Sequence, residues 1–144
     1  MVKRVGTTIT LEAWDTKYKR NQDWNHAWGA APANILPRKV LGVEPLEPGF
    51  AKVLVQPRPG SLAWAEGRVP TRHGPVTVRF DQDDRSFKLR LEVPQGTMAC
   101  TGVPKGKGGT LTLDGKPVKS TEADGYLFID HVAAGPHELL RSSE

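Results

Sequence analysis

VTVRFDQDDRSFKLRLEV, residues 76–93, alternates apolar and polar side chains on both sides of a polar break. Val76, Val78 and Phe80 point one way, against Thr77, Arg79 and Asp81. After Gln82-Asp83-Asp84-Arg85, Phe87, Leu89, Leu91 and Val93 alternate with Lys88, Arg90 and Glu92. A period of two puts one face on a core and the other in water, and two such runs joined by a polar loop predict a hairpin. The same pattern continues outward. Upstream, Val53 and Val55 alternate with Leu54 and Gln56 before Pro57-Arg58-Pro59-Gly60, and a second run carries Leu62, Trp64 and Val69 up to the His73-Gly74-Pro75 turn. Downstream, strands are expected over 97–103, 109–113, 125–131 and 136–141, with Asp114-Gly115 and Asp124-Gly125 as type I′ turn signals. Seven or eight short strands, broken by Gly and Pro at short intervals, predict a mainly β chain built around an antiparallel β-sandwich of about 95 residues.

Ahead of Glu47-Pro48-Gly49 the period changes. Trp24, Ala27, Trp28, Ala31, Ile35, Leu36, Val40 and Leu41 recur at helical spacing, with Pro32 and Pro37 inside the run. Two short helical pieces or one kinked helix are expected over 24–41, with Asp23 as N-cap and Gly42 as stop. The sequence therefore divides at 47/48 into a helical segment, 1–47, and a sandwich, 48–144.

At 144 residues the chain has room for one compact domain and a short appendage. Its formal charge is +4. The basic residues are interleaved with sixteen acids and form no stripe, which argues against a nucleic-acid footprint. Cys100 is the single cysteine, in an alternating segment, and reads as a core side chain. His73, His131 and His137 are too scattered to suggest a metal site, and no cofactor motif is present. No apolar h-region follows Met1, so no signal peptide is read here, and no run approaches the ~20 apolar residues of a membrane span.

The chemistry concentrates in residues 7–34, TTITLEAWDTKYKRNQDWNHAWGAAPAN. Glu12, Trp14, Trp24, Asn25, His26 and Trp28 fall within seventeen positions, and three of the chain's four tryptophans are among them. Indole faces pack against the C–H-rich faces of sugars, while carboxylates, amides and imidazoles take hydroxyls. Each residue also has a plainer reading. Glu12 by itself is an ordinary solvated acid, His26 a histidine bonded to a backbone carbonyl, and Trp24 and Trp28, four apart, one helix's core face. Trp28 is assigned to the core and Trp24 is left open. Trp64 has two readings, a carbohydrate platform or a buried side chain, and as a lone strand tryptophan it is assigned to the second.

Three segments, TTITLEAWD (7–15), DWNHAWGAAPANILPRKVLGVEPLEPGF (23–50) and AKVLVQPRPGSLAWAEGRVPTRHGPVTVRF (51–80), together resemble the C-terminal end of bacterial α-L-rhamnosidases. These are inverting glycoside hydrolases with an (α/α)6 catalytic barrel followed by a β-sandwich. The resemblance implies that the helical segment 1–47 is left over from such a barrel. It implies that Glu12 is the general base and that His26, Trp14, Asn25 and Trp24 bind substrate. It further implies rhamnose-containing glycans as the parent's substrates; the parent's localisation is left open, the periplasm and the exterior included. The general acid lies on earlier barrel helices of the family, so the chain by itself is expected to be inactive. Pairing of copies over the exposed helical segment is expected. The alternative is a non-catalytic sandwich module that binds carbohydrate or docks domains; for the sandwich itself, with no row of aromatics evident in residues 50–144, a purely structural brace that binds nothing is the favoured reading.

Overall fold

The structure is a computed structural model and describes residues 6, 10–13, 17–23, 26–107 and 109–143. Two compact units divide it, Met1–Leu36 and Pro37–Glu144. The sheet-bearing unit thus starts about ten residues before the 47/48 division read from the sequence.

Among its described residues the second unit holds eleven strands: β1 (Val43–Pro45), β2 (Lys52–Val55), β3 (Trp64–Val69), β4 (Val76–Gln82), β5 (Ser86–Val93), β6 (Met98–Pro104), β7 (Thr110–Leu113), β8 (Lys116–Pro117), β9 (Thr121–Ala123), β10 (Tyr126–Val132) and β11 (Gly135–Ser142). They form a five-stranded sheet, β1-β2-β6-β10-β9, and a six-stranded sheet, β3-β4-β5-β11-β7-β8. One hydrophobic cluster joins the two. Val53, Val55, Ala99 and Val103 come from the first sheet, and Val78, Phe80, Phe87, Leu89 and Leu139 from the second. Each large apolar side chain taken out of water there contributes roughly 1.5–3 kcal/mol. The β4–β5 hairpin is as the alternation predicts, with Phe80 opposite Leu89 and every inward position of 76–93 buried. Its loop is fixed by Asp83, whose carboxylate accepts from the Arg85 and Ser86 amides at 2.8 and 2.6 Å. Asp114-Gly115 and Asp124-Gly125 have positive φ at both positions, as type I′ turns require.

One pairing is parallel: β2 runs beside β6, with Val53 opposite Ala99 and Val55 opposite Thr101. All other pairings are antiparallel. Cys100 is buried, as read from the sequence, and burial followed by the nearby Asp130 carboxylate pushes its thiol pKa up.

The helical stretch is broken into three pieces: a 3-10 turn Ala27–Ala30, a short α-helix Ala31–Ile35 and a π-turn Leu36–Val40. Pro32 lies in the first turn of the α-helix, where its missing N–H costs nothing. Pro37 has no N–H to continue the ladder, and from there the chain widens into the π-turn. Asp23 is not the N-cap; His26 holds that position in extended backbone with no side-chain cap. Gly42 ends the run at φ +73°, and its amide plane lies so close to β2 that a Cβ would fall 1.8 Å from the Gln56 carbonyl oxygen. Two tryptophans assigned to the core are on the surface. Trp28 is 59% exposed and Trp64 58% exposed.

Candidate functional site

Within the first unit, Thr10 fixes one segment against another. Its hydroxyl and its amide both donate to the Gly29 carbonyl, at 2.8 and 3.3 Å, and the Gly29 amide donates to the His26 carbonyl at 2.9 Å. Gly29 is buried, and this contact brings residues 10–13 alongside the 3-10 turn. Between them lies a cavity of about 360 Å³, lined by Thr10, Leu11, Glu12, Trp28, Pro32 and Ile35 among others. It falls within the size range of small-molecule sites.

Among the described residues, Glu12 is the single titratable group on that lining. Its side chain is only 9% exposed. Oε1 accepts from the Lys19 ammonium, and Oε2 accepts from the Asp23 backbone amide at 3.1 Å. The Lys19 contact, and after it the Asp23 amide, hold the Glu12 carboxyl below its ordinary pKa. It is therefore ionised at neutral pH. A carboxylate offers about four lone-pair positions, so two occupied ones leave room for a water or a hydroxyl.

His26 stacks on Trp28 with ring centroids 3.7 Å apart and planes 19° from parallel. This packs the imidazole on one indole face and leaves the indole reaching the cavity. Among the described residues, His26 Nδ1 and both polar atoms of the Gln22 amide are buried without a partner. Buried polar groups left open are uncommon, and neither Gln22 nor His26 is on the cavity's lining.

Of the residues singled out in the sequence, Glu12 and His26 fall on the same small constellation, linked through Trp28. Trp14, Trp24 and Asn25 lie outside the described residues. Sequence reasoning missed Trp28, Lys19 and Gln22 as site residues. Trp28 had a signal: its two-residue spacing from His26 brings the rings together once the backbone enters a tight turn, whereas helical spacing pairs it with Trp24. Lys19 and Gln22 carry no sequence signal that separates them from ordinary surface residues.

A family model described as the bacterial alpha-L-rhamnosidase C-terminal domain matches residues 42–116. An alpha-L-rhamnosidase of Streptomyces avermitilis is 27% identical over 107 residues, covering 69% of this chain and 10% of its own length. One from an Alteromonas species is 30% identical over 99 residues, covering 62% of this chain and 10% of its own. The chain thus spans about a tenth of the length of the curated relatives it matches. The solved alpha-L-rhamnosidase of Dictyoglumus thermophilum superposes with a TM-score of 0.84 at 23% identity, over 99% of this chain and 17% of that one. At that identity the likeness establishes the fold.

Proposed function

Because this chain belongs to the bacterial alpha-L-rhamnosidase C-terminal domain family, we propose that it is the C-terminal portion of an inverting glycoside hydrolase acting on terminal α-L-rhamnosides. The helical part of residues 1–47 belongs in this reading to the end of the catalytic (α/α)6 barrel, while β1 within that span already pairs with the appended sandwich of residues 48–144. Glu12 is the general base. In inversion a carboxylic acid protonates the leaving oxygen, while a second carboxylate takes a proton from the water that attacks the anomeric carbon on the opposite face. Glu12 suits the second role, being ionised and held in place by Lys19 and the Asp23 amide with lone pairs to spare. Trp28 offers a stacking face for the sugar ring, and His26, with Trp14, Asn25 and Trp24, serves the hydroxyls. The general acid comes from elsewhere in the longer protein. Trp28, Ile35 and Leu36, each more than half exposed, form an apolar patch that pairing of copies would cover in the isolated chain.

The observation that carries the reading is the Glu12 carboxylate on a cavity walled by an exposed indole. The isolated chain should show no turnover of an aryl α-L-rhamnoside, since inversion needs two carboxyl groups ~6.5–9.5 Å apart. In the longer protein, Glu12→Gln should lower kcat by about 10²–10⁴-fold, the ordinary contribution of a general base. Wild-type kcat in that variant, or turnover by the isolated chain that Glu12→Gln abolishes, would sink the assignment.

A further inference from the structure

We propose that the outer face of the six-stranded sheet is a second, independent binding site for a neutral saccharide, stacked on Trp64 and hydrogen-bonded along a row of paired charges. Strand register creates that row. Glu66 lies opposite Arg79, Arg79 opposite Arg90, and Arg90 opposite Glu138. Two arginines directly across from each other repel unless carboxylates neutralise them. Here Asp81 grips Arg79 through two hydrogen bonds, at 3.0 and 2.7 Å, and Glu66 takes its third donor at 2.9 Å. Arg90 lies 3.5 Å from both Asp81 and Glu138. These links fix the guanidinium planes in advance of any ligand.

The row borders a cleft of about 510 Å³. Its far side is held by the β7–β8 turn, where Asp114 accepts from the Glu138 amide at 2.8 Å and lies 2.8 Å from His137 Nδ1. Trp64, outside the cleft's lining, projects from the same face of β3 as Glu66, two positions along. The Arg79 guanidinium sits 5.2 Å from its ring centroid, yet the residue remains 58% exposed. An indole oriented by a cation on one side and open on the other is a ready stacking platform.

The charges select the ligand. Of the charged side chains that line the cleft, Glu66, Glu92, Asp114 and Glu138 outnumber Arg79 and Arg90, so an anionic ligand is repelled. An apolar ligand would desolvate these ions without replacing their hydrogen bonds. A sugar hydroxyl both donates and accepts, and can bond to a carboxylate and a guanidinium of one pair at once. A neutral saccharide meets all three conditions.

The test follows amide and indole resonances of the 144-residue chain by NMR during titration with 6-O-α-L-rhamnosyl-D-glucose, with cellotetraose as a second neutral probe and trigalacturonate as an anionic one. The rhamnosyl end of the first probe rests on the family reading; the site does not. Saturable shifts are expected at the Trp64 indole N–H and the Arg79 and Arg90 amides with at least one neutral probe, and none with trigalacturonate. Trp64→Ala should weaken binding about ten-fold, the loss of one stacking contact. Trp64→Phe should retain most of it, and Glu12→Gln should leave it unchanged. Because Trp64 is largely in solvent, unshifted core resonances in the variants will show that the fold is intact. Shifts confined to residues 10–35 would overturn this proposal while leaving the Glu12 reading standing. Absence of a saturable response to both neutral probes, or equal binding of trigalacturonate, would also overturn it.

Discussion

The Glu12 carboxylate sits between the Lys19 ammonium and the Asp23 backbone amide. The resemblance singles it out as a base, but its protonation behaviour is set by Lys19 and the Asp23 amide, two neighbours without any motif of their own. Its lowered pKa means the carboxylate contact with Lys19 forms above the ordinary glutamate range and persists as pH falls through that range. It is lost only as pH passes below the depressed value. A carbon-detected NMR titration should therefore place the Glu12 midpoint below the usual value of about 4.3, and Lys19→Met should move it back up. An unchanged midpoint in that variant would mean that the Lys19 contact does not set the charge. The tryptophans teach the opposite lesson. The general burial of large apolar side chains puts Trp28 and Trp64 in cores, yet both lie on the surface. For Trp28 the backbone runs as a 3-10 turn, so the four-residue partnership with Trp24 that defined the expected core face loses its geometric basis. Trp64 begins β3, an edge strand, and takes an outward position in phase with Glu66, so alternation alone could have placed it outside.

At the level of elements, the alternating runs and Asp-Gly turns were legible because their signals are local. Both faces of β4 and β5, and the turns at 114–115 and 124–125, are written within a few residues of where they act. The parallel neighbour of β2 was not legible, because nothing near residue 53 encodes residue 99. The segment at 121–123 also passed unnoticed, being wholly exposed and so without an apolar phase. Gly42 shows an element boundary enforced by contact. Gly42→Ala puts a methyl group 1.8 Å from the Gln56 oxygen where β1 meets β2, on top of the positive-φ penalty. Gly115 has a similar φ, +76°, but open space around its missing Cβ. Urea denaturation should show Gly115→Ala costing about 1 kcal/mol, the strain alone, and Gly42→Ala more than about 3 kcal/mol. Similar losses at the two glycines would argue that the β1–β2 junction yields freely.

On the scale of the whole molecule, the two compact units differ in what holds them. Gly29 is the one buried residue among the described positions of 1–36, whereas the joint core of the sheets lies entirely within 37–144. A chain beginning at Pro37 should keep a single cooperative thermal transition, with a midpoint within a few degrees of that of the 144-residue chain, a shift of about 1 kcal/mol or less. Loss of cooperativity would place essential stability in the first unit. The β2–β6 pairing also governs the order in which the molecule assembles. The meander β3–β4–β5 closes through short loops, but β2 must find a strand 46 residues further on, and it pays that loop-closure entropy before any ladder bond is made. Val53, fully buried at that junction, should then be a late arrival. In a chevron experiment Val53→Ala should accelerate unfolding and leave the refolding rate nearly unchanged, whereas Leu89→Ala should slow refolding. A slowed refolding limb for Val53→Ala would reverse that order. The seam between β2 and β6 is in this sense a clasp, expected to fasten, like the β5–β11 ladder whose partners lie 42–56 residues apart, only after the hairpins have closed.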